Sequence, residues 1–273
     1  MISKTRNWKF WAPLILGIFI LTNETLWITL NGLDLGDPDS EASADIKRVF
    51  GGFYMFAFFT TQTNLFLGLT FILIAFYQTP RAYSWFMGST MLMMITFLAY
   101  WSLLFDVNNK VNKWNDPYFT ISTLFTHGVN PFSGFIFLFI IRKQISVHKK
   151  IIGRCALHMT FFYTFNAIFY GAATRIIDDQ TGQPILDPAS VYRFLEIQRL
   201  FFFNFTNLPA WGVFANLLLF IICPIFPLSC SFCWIKLAKI QTEDQSYYRW
   251  VDRLKERFKT RKLAKNISKT SSL

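Results

Sequence analysis

Charge is scarce in this chain. Of 273 residues only 16% are Asp, Glu, Lys or Arg, against about 25% in soluble domains. A water-exposed surface of ordinary size cannot be built from so few charges. Cysteine is also sparse, at four. One Cys-x-x-Cys, Cys230-Ser-Phe-Cys233, has no second pair to complete a zinc site. Walker A, Gly-x-Ser-x-Gly and His-Glu-x-x-His patterns are missing, so the sequence gives no sign of a P-loop nucleotidase, an α/β-hydrolase or a zincin. Asp37-Pro-Asp-Ser-Glu41 alternates carboxylates but lacks the glycine and distal glutamate of a calcium loop. No metal and no cofactor is expected.

What is abundant is apolar surface. Hydrophobic residues make up 53% of the chain and aromatics 19%. They fall in unbroken runs rather than in alternation, which selects membrane-spanning helices over a barrel, because a span needs about 20 apolar residues and must satisfy its own backbone. Six spans are predicted: Phe10–Leu30, Phe50–Tyr77, Ser84–Phe105, Phe119–Ile141, Ile151–Thr174 and Leu200–Leu228. The first is too long for a signal peptide, and Ala42-Ser43-Ala44 lies too far beyond it to serve as its cleavage site. Pro209, Pro224 and Pro227 predict a sixth span that is kinked or broken. The expected architecture is an all-α, polytopic six-transmembrane-helix bundle over residues 1–235, followed by a basic cytoplasmic tail over 236–273.

Charge then sets the orientation. Twenty of the 27 Lys and Arg fall on the side that holds both termini, and seven on the other. By the positive-inside rule both termini are cytoplasmic, which implies a multi-pass protein of the cell membrane. The net charge of +11 is accordingly read as attraction to membrane lipids rather than to nucleic acid. In the tail, Tyr248, Trp250, Val251, Leu254, Phe258 and Leu263 recur at near-helical spacing among basic residues, as in an amphipathic helix lying on anionic headgroups. A docking site for a cytosolic protein is the alternative reading of the tail.

The polar residues of the spans share one depth. Counting inward from the outer end, Asn23 and Glu24, Thr60 to Asn64, Thr96, Thr126 to Asn130, Asn166 and Asn204 to Asn207 all lie roughly 6–20 Å below the outer surface. Polar groups in hydrocarbon face the bundle interior, so six helices converge on a common polar level. Taken singly, each Asn or Thr can be no more than a cross-helix hydrogen bond. Taken together, Glu24, Asn64, Asn130, Asn166, Asn204 and Asn207 are candidate substrate-binding residues of an outer-half cavity. Thr61, Asn64 and Gly68 share one helix face, and Gly128 and Pro131 should weaken the fourth span where His127 sits. His127 is the one histidine at this depth, and imidazole is the side chain best suited to take a proton near neutral pH. A threonine hydroxyl within its reach would be an activated nucleophile.

The segment Phe59-Thr-Thr-Gln-Thr-Asn-Leu65 together with His127-Gly-Val-Asn-Pro131 resembles the androgen-induced family of six-span membrane proteins and its bacterial relatives, and Asn204-Phe-Thr-Asn-Leu-Pro209 is similar to the family's last span. Characterised members of that family hydrolyse fatty-acid esters within the membrane. The resemblance implies Thr61 as nucleophile and His127 as base in this chain. Two other functions stay open on the residues themselves. One is a substrate-binding subunit of a small-molecule or vitamin transporter, although the first span offers a single Ala, Ala12, where such subunits use Ala-x-x-x-Ala packing. The other is a non-catalytic channel or scaffold.

Overall fold

The computed structural model describes residues 8–33, 46, 50–105, 112–173 and 209–242. Among the described residues seven α-helical segments carry nearly all of the regular structure. Helix α1 is Trp8–Gly32, and a 3-10 turn, Gly51–Ala57, leads into α2, Phe59–Phe76. Helix α3, Pro80–Ala99, continues into a π-helical stretch, Tyr100–Leu104. Helix α4, Pro117–Leu124, runs through a second π-helical stretch, Phe125–Val129, into α5, Asn130–Ile141. Helices α6, Lys149–Ala173, and α7, Pro209–Leu237, follow.

Five stretches are long and apolar enough to cross a membrane: Trp8–Gly32, Phe59–Phe76, Pro80–Ser102, Pro117–Ile141 and Ala210–Leu237. Their outward faces are apolar as well. Ile15, Ile18, Phe132, Ile136, Phe139, Ile140 and Ile221 are all exposed, as lipid-facing positions must be. Helix α6 is the exception to the six predicted spans. It has the length, at 25 residues, but is less apolar than the other five, with Lys149, Lys150 and Arg154 at its start and Thr160, Thr164 and Asn166 further along.

The ends of the elements follow local chemistry. Asp116 caps α4, its carboxylate accepting from the backbone N–H groups of Tyr118 and Phe119 at 3.0 and 3.1 Å. Thr79 caps α3 ahead of Pro80, the first-turn position that proline tolerates. The second span was expected to be helical from Phe50. Instead Gly51 adopts a left-handed φ of 55° and the chain tightens into the 3-10 turn before α2 begins. The expected break in the last span is not found: α7 is one helix through both Pro224 and Pro227. Each proline removes a hydrogen-bond donor, and one turn beyond them Ser231 Oγ donates to the Pro227 carbonyl at 2.8 Å.

Packing is closest between α1 and α2. A Cβ placed on Gly17 would lie 2.8 Å from the Gly68 carbonyl oxygen and 3.0 Å from the Ile72 nitrogen, so the two backbones touch where both residues are glycine. Polar pairs pin α2 to α3 within the buried layer. Thr63 and Thr96 hydroxyls are 3.0 Å apart, and those of Thr70 and Ser89 are 2.7 Å apart. Phe71, Phe86 and Phe137, with centroids 4.7–5.8 Å apart, join α2, α3 and α5 in one apolar core. A second core gathers Phe59, Leu92, Ile95, Phe162, Tyr163 and Cys223 from α2, α3, α6 and α7.

Two clasps close the ends. At the end where α1 begins, Ser146–Val147 pairs in parallel with Gln241–Thr242, a two-residue departure from an all-helical chain, and the His148 N–H donates to Ser84 Oγ at 2.6 Å. At the opposite end Asn31 Nδ2 donates to the Tyr118 hydroxyl at 2.7 Å, and the Tyr54 hydroxyl to Asn31 Oδ1 at 3.2 Å. The tail beyond residue 242 lies outside the described residues.

Candidate functional site

Helical phase decides where the polar residues of α2 point. Successive residues turn by about 100°, so the run from Thr60 to Asn64 sprays side chains to three neighbours. Thr63 faces α3, as its bond to Thr96 requires. Thr61 lies two turns before Gly68 and shares the face packed on α1. Thr60 and Asn64, on adjoining phases, face the fourth helix.

On that side stands His127. Its backbone belongs to the π-helical stretch Phe125–Val129, which Gly128 and the following Pro131 admit because neither favours a regular α-helical turn at this point. Its ring stacks on Tyr100, with centroids 3.9 Å apart and planes inclined by 19°. Tyr100 opens the π-helical stretch of α3. The His127 carbonyl, displaced from its helix by the wide turn, accepts from Trp101 Nε1 at 2.9 Å. The backbone of Thr96 lies within hydrogen-bonding reach of the ring. His127 Nδ1 is buried and has no hydrogen-bond partner, so the lone pair of a neutral imidazole is left uncommitted there.

His127 forms part of the wall of a cavity of about 320 Å³. Its other walls come from α2 (Phe59, Thr60), α3 (Ile95, Thr96, Tyr100), α6 (Met159, Phe162) and α7 (Leu219, Cys223, Phe226). Apart from His127, the hydroxyls of Thr60, Thr96, Ser102, Tyr100 and Tyr163 and the Cys223 thiol, the lining side chains are apolar. The volume and lining suit an acyl chain or another slender apolar molecule.

The sequence-predicted residues divide into three groups. Glu24, Asn64 and Asn130 are brought together in a buried polar cluster beside Thr126. Asn130 Nδ2 donates to Asn64 Oδ1 at 2.8 Å and to Glu24 Oε1 at 3.4 Å, the Thr126 hydroxyl donates to Glu24 Oε1 at 3.3 Å, and Asn64 Nδ2 donates to the Thr126 carbonyl at 3.2 Å. Thr61 and Asn166 are buried but stand outside the cavity lining, and Thr61 makes no hydrogen bond to His127 Nδ1. Asn204 and Asn207 lie outside the described residues. Among the described residues no group of three His, Cys, Asp or Glu converges in a way that could hold a metal ion.

Sequence reasoning missed Tyr100 and Trp101. At the outer end of a span they look like interfacial aromatics, and only the packing shows that they grip His127. It also singled out Thr61 rather than Thr60, although both carry the same hydroxyl. His158 of α6 is stacked on Phe59, with ring centroids 5.7 Å apart.

The fold and its lipid-facing surface define the class as a polytopic α-helical membrane protein. Beyond class, comparison with protein-family models, with curated proteins and with solved structures finds no match.

Proposed function

We propose that this protein is an intramembrane hydrolase of lipid esters, with His127 as general base in the outer half of the bilayer. In this reading α6 is the fifth of six spans, both termini are cytoplasmic, and the polar level faces the outer leaflet. The observation that carries the proposal is the cavity: an apolar chamber of about 320 Å³ with an imidazole in its wall whose Nδ1 is uncommitted. An acyl chain enters laterally from the lipid, and the ester comes to rest at the His127 end. The imidazole takes the proton of a threonine hydroxyl as its oxygen attacks the ester carbonyl. The alcohol leaves with that proton, and water releases the acid from the acyl-threonine in a second step.

The resemblance to the androgen-induced family favours Thr61 as the nucleophile. The cavity lining favours Thr60, because Thr60 opens onto the chamber and Thr61 is on the face packed against α1. We take Thr60 as the nucleophile.

Labelling by a fluorophosphonate probe in native membranes tests the reading. The parent should be labelled, and His127→Ala and Thr60→Ala should abolish labelling while Thr61→Ala retains it. Loss in Thr61→Ala with retention in Thr60→Ala would move the nucleophile by one residue. Absence of labelling in a folded parent would sink the hydrolase reading and leave an apolar-ligand binding protein.

A further inference from the structure

Glu24 is the most deeply placed acid in the described part of the bundle, at 2% exposure. It makes no ion pair with any described residue, and its two contacts, from the Thr126 hydroxyl at 3.3 Å and Asn130 Nδ2 at 3.4 Å, are long for bonds to a carboxylate. A carboxyl group in hydrocarbon without a counter-charge is costly enough to imply a role. A second observation lies at the same spot. Asn130 is fully buried, and its Oδ1 has no partner although the Nδ2 of the same amide donates to both Glu24 and Asn64. The Nδ2 of Asn130 fills the space between Glu24 Oε1 and Asn64 Oδ1, and a half-turn of the amide would put its unpartnered Oδ1 there instead. With the amide so turned, the Thr126 hydroxyl and Asn64 Oδ1 would complete an all-oxygen set drawn from three helices.

We propose that Glu24, Asn130, Asn64 and Thr126 form a binding site for one alkali-metal cation. Oxygen-only ligands select a hard ion. The single carboxylate selects a monovalent one, since a divalent ion would leave a net positive charge in the membrane. The π-helical stretch at Phe125–Val129 lets the fourth helix present both the hydroxyl and the carbonyl of Thr126 toward this cluster, as interrupted helices do where ions are held in membranes. Asn64 Nδ2 already uses that carbonyl, so cation binding would tighten α1, α2 and α5 together around the base of the His127 stretch. This inference stands apart from the hydrolase reading, because none of the four residues forms part of the cavity wall.

The test is equilibrium binding of radioactive sodium to the purified full chain, together with its melting temperature in NaCl against choline chloride at equal ionic strength. Saturable binding of one ion per chain is expected, with a melting temperature that rises with sodium and not with choline. Glu24→Gln should remove both effects, and Thr70→Val, in a polar pair elsewhere, should keep both. If Glu24→Gln does not fold, Asn130→Ser serves instead and should weaken sodium binding about tenfold or more. A folded parent that binds no sodium, or a Glu24→Gln protein that still binds it, would overturn the proposal. So would a parent whose melting temperature ignores sodium and rises only on acidification, since the carboxyl would then be neutralised by a proton.

Discussion

The contact between Gly17 and Gly68 makes a prediction whose sign can be worked out. Replacing Gly17 by Ala has two opposing effects. Alanine raises helix propensity by up to about 1 kcal/mol. The added methyl, however, would sit 2.8 Å from the Gly68 carbonyl oxygen and 3.0 Å from the Ile72 nitrogen. Both are backbone atoms, so relief requires α1 and α2 to separate, and overpacking of this kind costs about 1–3 kcal/mol. The clash should win, and Gly17→Ala should destabilise the bundle by about 1–2 kcal/mol net. Gly153 is the internal control. It lies in α6, and a Cβ there meets nothing within 4 Å, so Gly153→Ala should gain up to about 1 kcal/mol. The assay is reversible unfolding in mixed micelles by titration with denaturing detergent. A Gly17→Ala protein as stable as the parent, or one shifted in the same direction as Gly153→Ala, would refute the close approach of α1 and α2.

Other consequences follow from single contacts. Tyr100→Phe preserves the ring stacked on His127 and should keep probe labelling, whereas Tyr100→Leu frees the imidazole and should cut labelling about tenfold or more; equal labelling in both would deny Tyr100 a positioning role. Ser84→Ala removes the acceptor of the His148 N–H and should lower stability by about 1 kcal/mol, read in the same detergent titration, with Ser102→Ala as an exposed comparison. Cys223→Phe narrows the chamber and should reduce saturable binding of a long-chain fatty ester, while the exposed Cys233→Ser should not; unchanged binding in Cys223→Phe would move the ligand elsewhere.

Much of the architecture was legible because the bilayer constrains sequence so heavily. The continuous apolar runs could only be helices, and five of the six expected spans have the required length and hydropathy. The sixth expectation met α6, whose polar positions serve contacts rather than lipid: Tyr163 donates from its hydroxyl to Asn216 Oδ1 at 2.5 Å, tying α6 to α7. The start of α2 was misjudged, and of the kink or break expected in α7 the break is not found. Glycine and proline state what a backbone finds easy, and neighbouring contacts decide what it does. Pro224 and Pro227 lie within a helix that faces mostly outward and still continues, while Gly51 opens a 3-10 turn with a left-handed φ.

The site was legible in depth but not in azimuth. A common level for Glu24, Asn64, Thr126 and Asn130 follows from counting residues inward, and these four do meet. Which hydroxyl of the Thr60-Thr61 pair faces His127 does not follow from counting, since the two point about 100° apart and the answer depends on which helix lies on which side of α2. A motif that spans both residues cannot separate them.

The two π-helical stretches explain how the polar level coexists with an undisturbed core below it. A π turn holds one residue more than the α turn it replaces, so everything on its outer side is rotated relative to the helix on its inner side. On the inner side α3 and α5 pack through Phe86 and Phe137 in ordinary register. On the outer side the same two chains meet through Tyr100 and His127, and each of these residues belongs to its own π stretch. One insertion alone would have turned one partner away from the other. Paired insertions at one depth keep the inner packing, bring the imidazole against the tyrosine ring, and free the His127 carbonyl for Trp101. Regular helices through Tyr100 and His127 would lose that arrangement without any change in the polar residues themselves, which is why the placement of Gly128 and Pro131 matters to the site as much as the identity of His127.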